Sequence, residues 1–136
     1  RKLGNATPFW IVSFVDSSLM VKDLGALAQG QVFAQVVPLP TRRNVRVVKD
    51  YQRDYRTSFP NAPLSFTSLE GYIAGRTVVE GLKRAGSQVT RERLTRALDG
   101  MKVDLGDFWI DYSGESHNGS RFVDLTIVNK DGQFLN

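Results

Sequence analysis

Pro8-Phe9-Trp10-Ile11-Val12-Ser13, Asp16-Ser17-Ser18-Leu19-Met20 and Gly30-Gln31-Val32-Phe33-Ala34-Gln35-Val36-Val37 are the three pieces whose reading decides the fold class. The first is a short apolar run, suited to a strand buried in a parallel sheet. Asp16 or Ser17 can then cap a helix carrying Leu19, Met20, Leu24 and Leu27, because their side-chain oxygens accept from unpaired amides of a first turn. Gly30 ends that helix, and residues 31–37 form a second strand rich in β-branched residues. Strand, helix and strand within about thirty residues make a right-handed βαβ unit. The fold class is therefore α/β.

Outward from this unit, Pro38-Leu39-Pro40 stops the second strand and stiffens its exit. A helix is predicted over residues 44–59, with Val48, Tyr51, Tyr55 and Phe59 at helical spacing. Thr67-Ser68-Leu69-Glu70 has capping-box spacing and opens a long helix to Ala85, stopped at Gly86. Its small residues Gly71, Ala74, Gly75 and Gly81 permit close approach of a neighbour. Thr90 starts a shorter helix ended by Gly100. The tail is β-rich: Phe108, Ile110 and Tyr112 alternate, then Val123, Leu125 and Ile127 on one face, and Asp131-Gly132 signals a two-residue hairpin. In the other direction, Arg1-Lys2-Leu3-Gly4 reads as the last turn of a helix. We therefore expect the polypeptide to continue upstream, which makes a missing signal peptide uninformative.

Composition excludes several classes. The chain has 136 residues, 41% hydrophobic and 24% charged, with 14 aromatics, enough for one compact domain. No apolar run approaches the ~20 residues of a membrane-spanning helix. Cysteine is absent, which excludes disulfides and thiolate metal sites. The net charge of +4 is dispersed. Its densest groups are Arg42-Arg43-Arg46 and Arg91-Arg93-Arg96, and the second alternates with Glu92 and Asp99 as on a solvated helix face. No nucleic-acid partner is expected.

Catalytic constellations are missing from the pattern. His117 is the single histidine, in the polar loop Gly114-Glu115-Ser116-His117-Asn118-Gly119, without a partner for a triad or a two-histidine metal site. Asp104, Asp107, Asp111 and Glu115 lack the spacing of a calcium loop. No phosphate-binding glycine motif occurs. We expect no enzyme, cofactor or metal. Ligand chemistry fits best beyond the end of the first strand, where open α/β sheets bind ligands. There Ser13, Phe14, Val15, Asp16 and Ser17 offer hydroxyls, an aromatic wall and the free amides of a helix N-terminus that favour a carboxylate. The alternative is structural: Asp16 or Ser17 caps the helix and Phe14 belongs to the core.

A set of stretches through the whole chain resembles the leucine/isoleucine/valine-binding type of ABC-transporter substrate-binding protein. They are Ser13-Phe14-Val15, Gly30 with Gln35-Val36-Val37-Pro38, Ser65-Phe66-Thr67-Ser68-Leu69-Glu70-Gly71-Tyr72, Gly81-Leu82-Lys83-Arg84-Ala85-Gly86, Thr90-Arg91-Glu92, His117-Asn118-Gly119-Ser120 and Asp131-Gly132-Gln133-Phe134. The resemblance implies part of a two-lobed type I periplasmic-binding fold (βαβ unit, three helices, β-rich tail with hairpin), with ligand held between the lobes. By analogy residues 1–38 belong to the second lobe, 39–104 pack on the first, and 105–136 return to the second, the amino-terminal remainder lying outside this chain. Pro38 and Pro40 take hinge positions.

The implied function is a periplasmic receptor that binds an amino acid or a related aromatic or aliphatic carboxylate and delivers it to an inner-membrane ABC permease. A ligand-sensing module of a membrane receptor has the same fold, and an enzyme with catalytic residues in the remainder is the third reading. Ser13 stands where leucine-type proteins carry an acid for the ligand's amino group, and serine cannot neutralise an ammonium. Helices made to cover an absent sheet would expose Val48, Tyr51, Tyr55, Ile73 and Val79, so self-association or pairing with the missing part is expected.

Overall fold

A computed structural model describes residues 7–13 and 15–136. The predicted helix end at Arg1–Gly4 lies outside the described residues, as does Phe14. The elements run β1 (Trp10–Ile11), α1 (Ser17–Leu24) with a 3-10 turn at Gly25–Ala28, β2 (Val32–Gln35), α2 (Arg46–Ser58), α3 (Phe66–Ala85), α4 (Arg91–Leu98), β3 (Lys102–Asp104), β4 (Trp109–Asp111), β5 (Asp124–Val128) and β6 (Phe134–Leu135). The expected α/β class is observed.

Four strands form one sheet in the order β1-β2-β5-β6. β1 and β2 are parallel and joined through α1, as the βαβ reading requires, while β5 is antiparallel to both β2 and β6. Asp16 caps α1: its Oδ1 accepts from the amides of Ser18 and Leu19 at 3.0 and 3.1 Å. The helix buries Val21, and with Ala28 this covers Phe33 and Val128. Of the leucines in this stretch, Leu19 and Leu27 are exposed.

Register fixes which side chains share a face. Phe33 pairs with Thr126 and Val128 with Phe134 on the side covered by α1, whereas Trp10, Val32, Ile127 and Leu135 line up on the other side. The alternating apolar set of β5 lies on the open face: Val123, Leu125 and Ile127 are exposed, and Thr126 and Val128 are buried. The alternation was correct in period but could not choose a side. A strand in a partly parallel sheet is apolar on both faces. The hairpin is also longer than expected. Asn129 and Gln133 close it, and residues 130–132 form a three-residue loop with Gly132 at φ 73°.

The second group of elements is helical. α2 buries Val47, Val48 and Tyr51, and α3 buries Phe66, Leu69 and Ile73. These meet Met101, Leu105, Phe108 and Ile110 of the β3–β4 hairpin in one core. Each large side chain so enclosed contributes roughly 1.5–3 kcal/mol of transfer free energy. Val48, Tyr51 and Ile73 are therefore not exposed as expected, because the hairpin and the facing helix cover them. Val79 does remain open, together with Val78 and Leu82. Residues 105–136 divide between the groups: β4 packs with the helices, and β5 and β6 join the four-stranded sheet.

Helix starts are made in two ways. α3 is capped by Ser65 rather than Thr67 and begins at Phe66: the Ser65 Oγ accepts from the Ser68 amide at 3.1 Å, and the Ser65 amide donates to Ser68 Oγ at 3.2 Å. Tyr51 joins this box, with its hydroxyl 2.6 Å from Ser68 Oγ. α2 lacks a cap of its own. Asp107 Oδ2 accepts from the Arg46 amide at 3.1 Å and the Gly106 carbonyl accepts from the Val47 amide at 2.8 Å.

Candidate functional site

The segment from Val36 to Thr41 carries the chain from the sheet to the helices. Val37 and Pro38 are buried, and the Pro40 carbonyl accepts from Gln52 Nε2 at 2.8 Å, which ties the segment to α2. Arg42 ties it back to the sheet through Asp124 at 3.8 Å and the side chain of the terminal Asn136. Pro38 and Pro40 therefore sit at a junction held from both sides.

A cavity of about 430 Å³ opens at this junction. Ser18, at the start of α1, and Gln133 and Phe134, from the hairpin and β6, form the wall on the sheet side. Leu64, Ser65 and Phe66, at the start of α3, form the helical wall, and Leu39, Pro40 and Thr41 join the two. Phe134 is the shared post. Its ring meets Phe66 edge-on at 5.3 Å and Phe33 edge-on at 5.6 Å, so it bridges the two cores. Such edge-to-face pairs hold aromatic rings in a fixed relation.

The candidate residues of the βα loop are distributed differently from expectation. Ser17 is 2% exposed and its hydroxyl accepts from Gln35 Nε2 at 3.1 Å, so it is turned inward. Gln35 also donates to Thr126 Oγ1 at 3.4 Å, making a buried polar triad beneath the sheet. Asp16 is engaged as the α1 cap, and Val15 is exposed. Ser13 lies half-buried in the turn after β1. Of this neighbourhood the cavity takes Ser18, the next residue along. The amides expected to be free for a ligand carboxylate already serve one, that of Asp16. Pro40 lines the cavity, and Pro38 does not.

Sequence reasoning missed Leu39, Thr41, Leu64, Ser65, Phe66, Gln133 and Phe134 as a set. Three local signals pointed toward them: the Pro-Leu-Pro stop, the start of the long helix, and the Asp-Gly turn. Nothing local says that positions so far apart in sequence meet.

The shifted titratable groups lie away from this cavity. Asp111 is lowered to about 2, chiefly because its carboxylate accepts from the Ser113 side chain and amide, with Lys102 adding to the effect. Asp54 is lowered by its hydrogen bond with Arg53 and by the Tyr72 hydroxyl, which donates to it at 2.7 Å. Burial raises Tyr72. Arg46 pairs with Asp104 and Asp107, so these two acids are engaged in a turn and in ion pairs. Among the described residues no cluster of potential metal ligands forms, and no helix is long and apolar enough to cross a membrane.

The cavity thus lies between two groups of elements joined through residues 36–41. Residues 6–133 match the model of the periplasmic binding protein family, and the chain belongs to that family. A possible leucine/isoleucine/valine-binding protein from Rhodopirellula baltica SH 1 is 32% identical with a TM-score of 0.91, covering 100% of this chain and 37% of that one. An extracellular ligand-binding receptor from Verminephrobacter eiseniae ef01-2 is 30% identical with a TM-score of 0.86, covering 96% and 38%. A substrate-binding periplasmic protein from Ralstonia solanacearum is 27% identical with a TM-score of 0.89, covering 99% and 39%. The fold is thus a partial type I periplasmic-binding fold, and the chain spans less than two fifths of the length of these structures. No curated protein matches the chain.

Proposed function

We propose that this chain forms part of a two-lobed extracytoplasmic receptor that closes on an amino acid or a related small carboxylate and presents it to an inner-membrane ABC permease. In this reading residues up to Pro38, with β5 and β6, belong to one lobe. The helices and the β3–β4 hairpin belong to the other, and the segment around Pro38 and Pro40 is a hinge. The protein works by binding and closure, without bond-making chemistry. The observation that carries the reading is the cavity at the junction, with walls from both groups of elements and a volume within the range of small-molecule sites. Family membership supports the binding role.

The experiment is mass spectrometry of ligand retained by the longer protein that contains this chain. It is gently purified from the periplasm and then denatured. A stoichiometric small carboxylate, lost when Phe134 is replaced by Asp, is the expected result. A ligand-free protein that binds no small carboxylate in calorimetry would overturn the proposal.

A further inference from the structure

The chain holds three pairs in which an aspartate or asparagine directly precedes glycine: Asp99-Gly100, Asn118-Gly119 and Asp131-Gly132. In such a pair no side chain shields the glycine nitrogen from the side-chain carbonyl carbon of the residue before it. The structure separates the three. The Gly100 amide donates to the Tyr112 carbonyl and the Gly132 amide to the Asn129 carbonyl, each at 3.2 Å, so both nitrogens are held. Their partners are carboxylates, which are poor electrophiles. Among the described residues the Gly119 amide meets no acceptor, and the exposed Asn118 carboxamide makes no hydrogen bond. Asn129 is the contrast: its carboxamide donates to Gln133 and accepts from the Asp131 and Gln133 amides. Packing keeps the glycine in place. A Cβ at 119 would lie 2.6 Å from atoms of the Tyr112 ring, and the Gly119 carbonyl accepts from the Asp111 amide at 2.7 Å. A larger residue, which would shield the nitrogen, must therefore displace a ring packed on the helical core.

We propose that Asn118 is a site of spontaneous covalent modification, deamidating through a cyclic imide to aspartate and isoaspartate. The Gly119 nitrogen bonds to Asn118 Cγ, the Cγ–Nδ2 bond breaks, and the proton lost from Gly119 leaves with Nδ2 as ammonia. Water then opens the imide. Hydrolysis at Cγ gives aspartate, and hydrolysis at the main-chain carbonyl carbon gives isoaspartate, whose backbone runs through Cβ and Cγ. Water is the one co-reactant. Either product adds a carboxylate beside Asp111 and Glu115, which line the same cavity of about 390 Å³ as Asn118. Isoaspartate also lengthens the main chain next to Gly119. This loosens the contacts of Gly119 with Tyr112 and Asp111, in the segment that links β4 to β5.

For the test, the longer protein that contains this chain is held for weeks in mildly alkaline buffer, which speeds loss of the glycine amide proton. Its peptides are then followed by mass spectrometry that separates aspartate from isoaspartate. Asn118 is expected to convert about tenfold faster than Asn44 and Asn61, which are also exposed but precede Val45 and Ala62. Its rate should lie within about threefold of that in a synthetic peptide of residues 113–123, because the folded loop leaves the reacting atoms open. Conversion no faster than at Asn44 and Asn61 overturns the proposal. So does a rate about tenfold or more below that of the peptide, since the fold then shields Asn118. Asn118→Asp carries the new charge on an ordinary backbone and serves as the reference for the link. Chymotrypsin is expected to cut the aged protein after Tyr112 about threefold faster than Asn118→Asp. Equal cleavage overturns the loosening of the link.

Discussion

Gln35 shows how a single side chain can hold two layers together. It is 1% exposed, and its amide donates to Ser17 Oγ and Thr126 Oγ1, while Thr126 Oγ1 itself donates to the Phe33 carbonyl at 3.4 Å. The start of α1, β2 and β5 are thereby joined by polar contacts inside an apolar layer, where an unmade hydrogen bond costs most. Gln35→Leu keeps the volume and removes both donated bonds. We expect it to destabilise the fold by about 1–3 kcal/mol, read from urea denaturation, because the oxygens of Ser17 and Thr126 stay buried without donors. A midpoint unchanged from the parent would show that this triad contributes nothing net. Ser17 is a ligand candidate in sequence because it lies beyond the carboxyl end of the first strand, and a hydroxyl gives no sign in sequence of which way it turns.

At the scale of elements, the start of α2 is the clearest case of tertiary control. Val45 precedes the helix without a capping side chain, and the first amides are served by the loop at 106–107. Gly106 has φ 110°, and a Cβ there would lie 3.0 Å from both Arg46 Cβ and the Val47 amide nitrogen. Gly106→Ala therefore strains the loop and pushes it off the helix. The expected loss is about 2–4 kcal/mol, seen as a lower midpoint in thermal melts followed by circular dichroism. An unchanged melt would mean that the helix start does not depend on this loop. The two capping modes also explain which helix limits were legible. α1 and α4 are capped by adjacent Asp16 and Thr90, which sequence can suggest. α2 begins where a residue sixty positions later reaches it.

For the whole molecule, the open face of the sheet outweighs the helix faces first suspected. Trp10 is 71% exposed, and Leu125, Ile127 and Leu135 are each nearly half exposed on the same side. Among the described residues β1 is also an edge strand of this sheet, and an edge strand with an apolar face invites further association. The 136-residue chain is expected to self-associate at about 100 µM in light-scattering chromatography. The double substitution Leu125→Lys with Ile127→Lys should return it to monomer, without loss of helix content, since both positions face solvent. A parent chain that stays monomeric would remove this expectation.

The sequence by itself determined the class of fold and most elements, because periodicity, caps and turn residues act over a few positions. Strand, helix and strand around Asp16 were legible, as were the long helix to Ala85 and the return at Gly132. It also carried the family, through weak motifs kept in order along the chain. Only the tertiary structure decided which face of β5 is covered, where α2 begins, and which residues meet at the cavity. Those are contacts between positions as distant as Ser18, Ser65 and Phe134. The free energy of such contacts belongs to the packed arrangement of elements and leaves no period in the sequence to read.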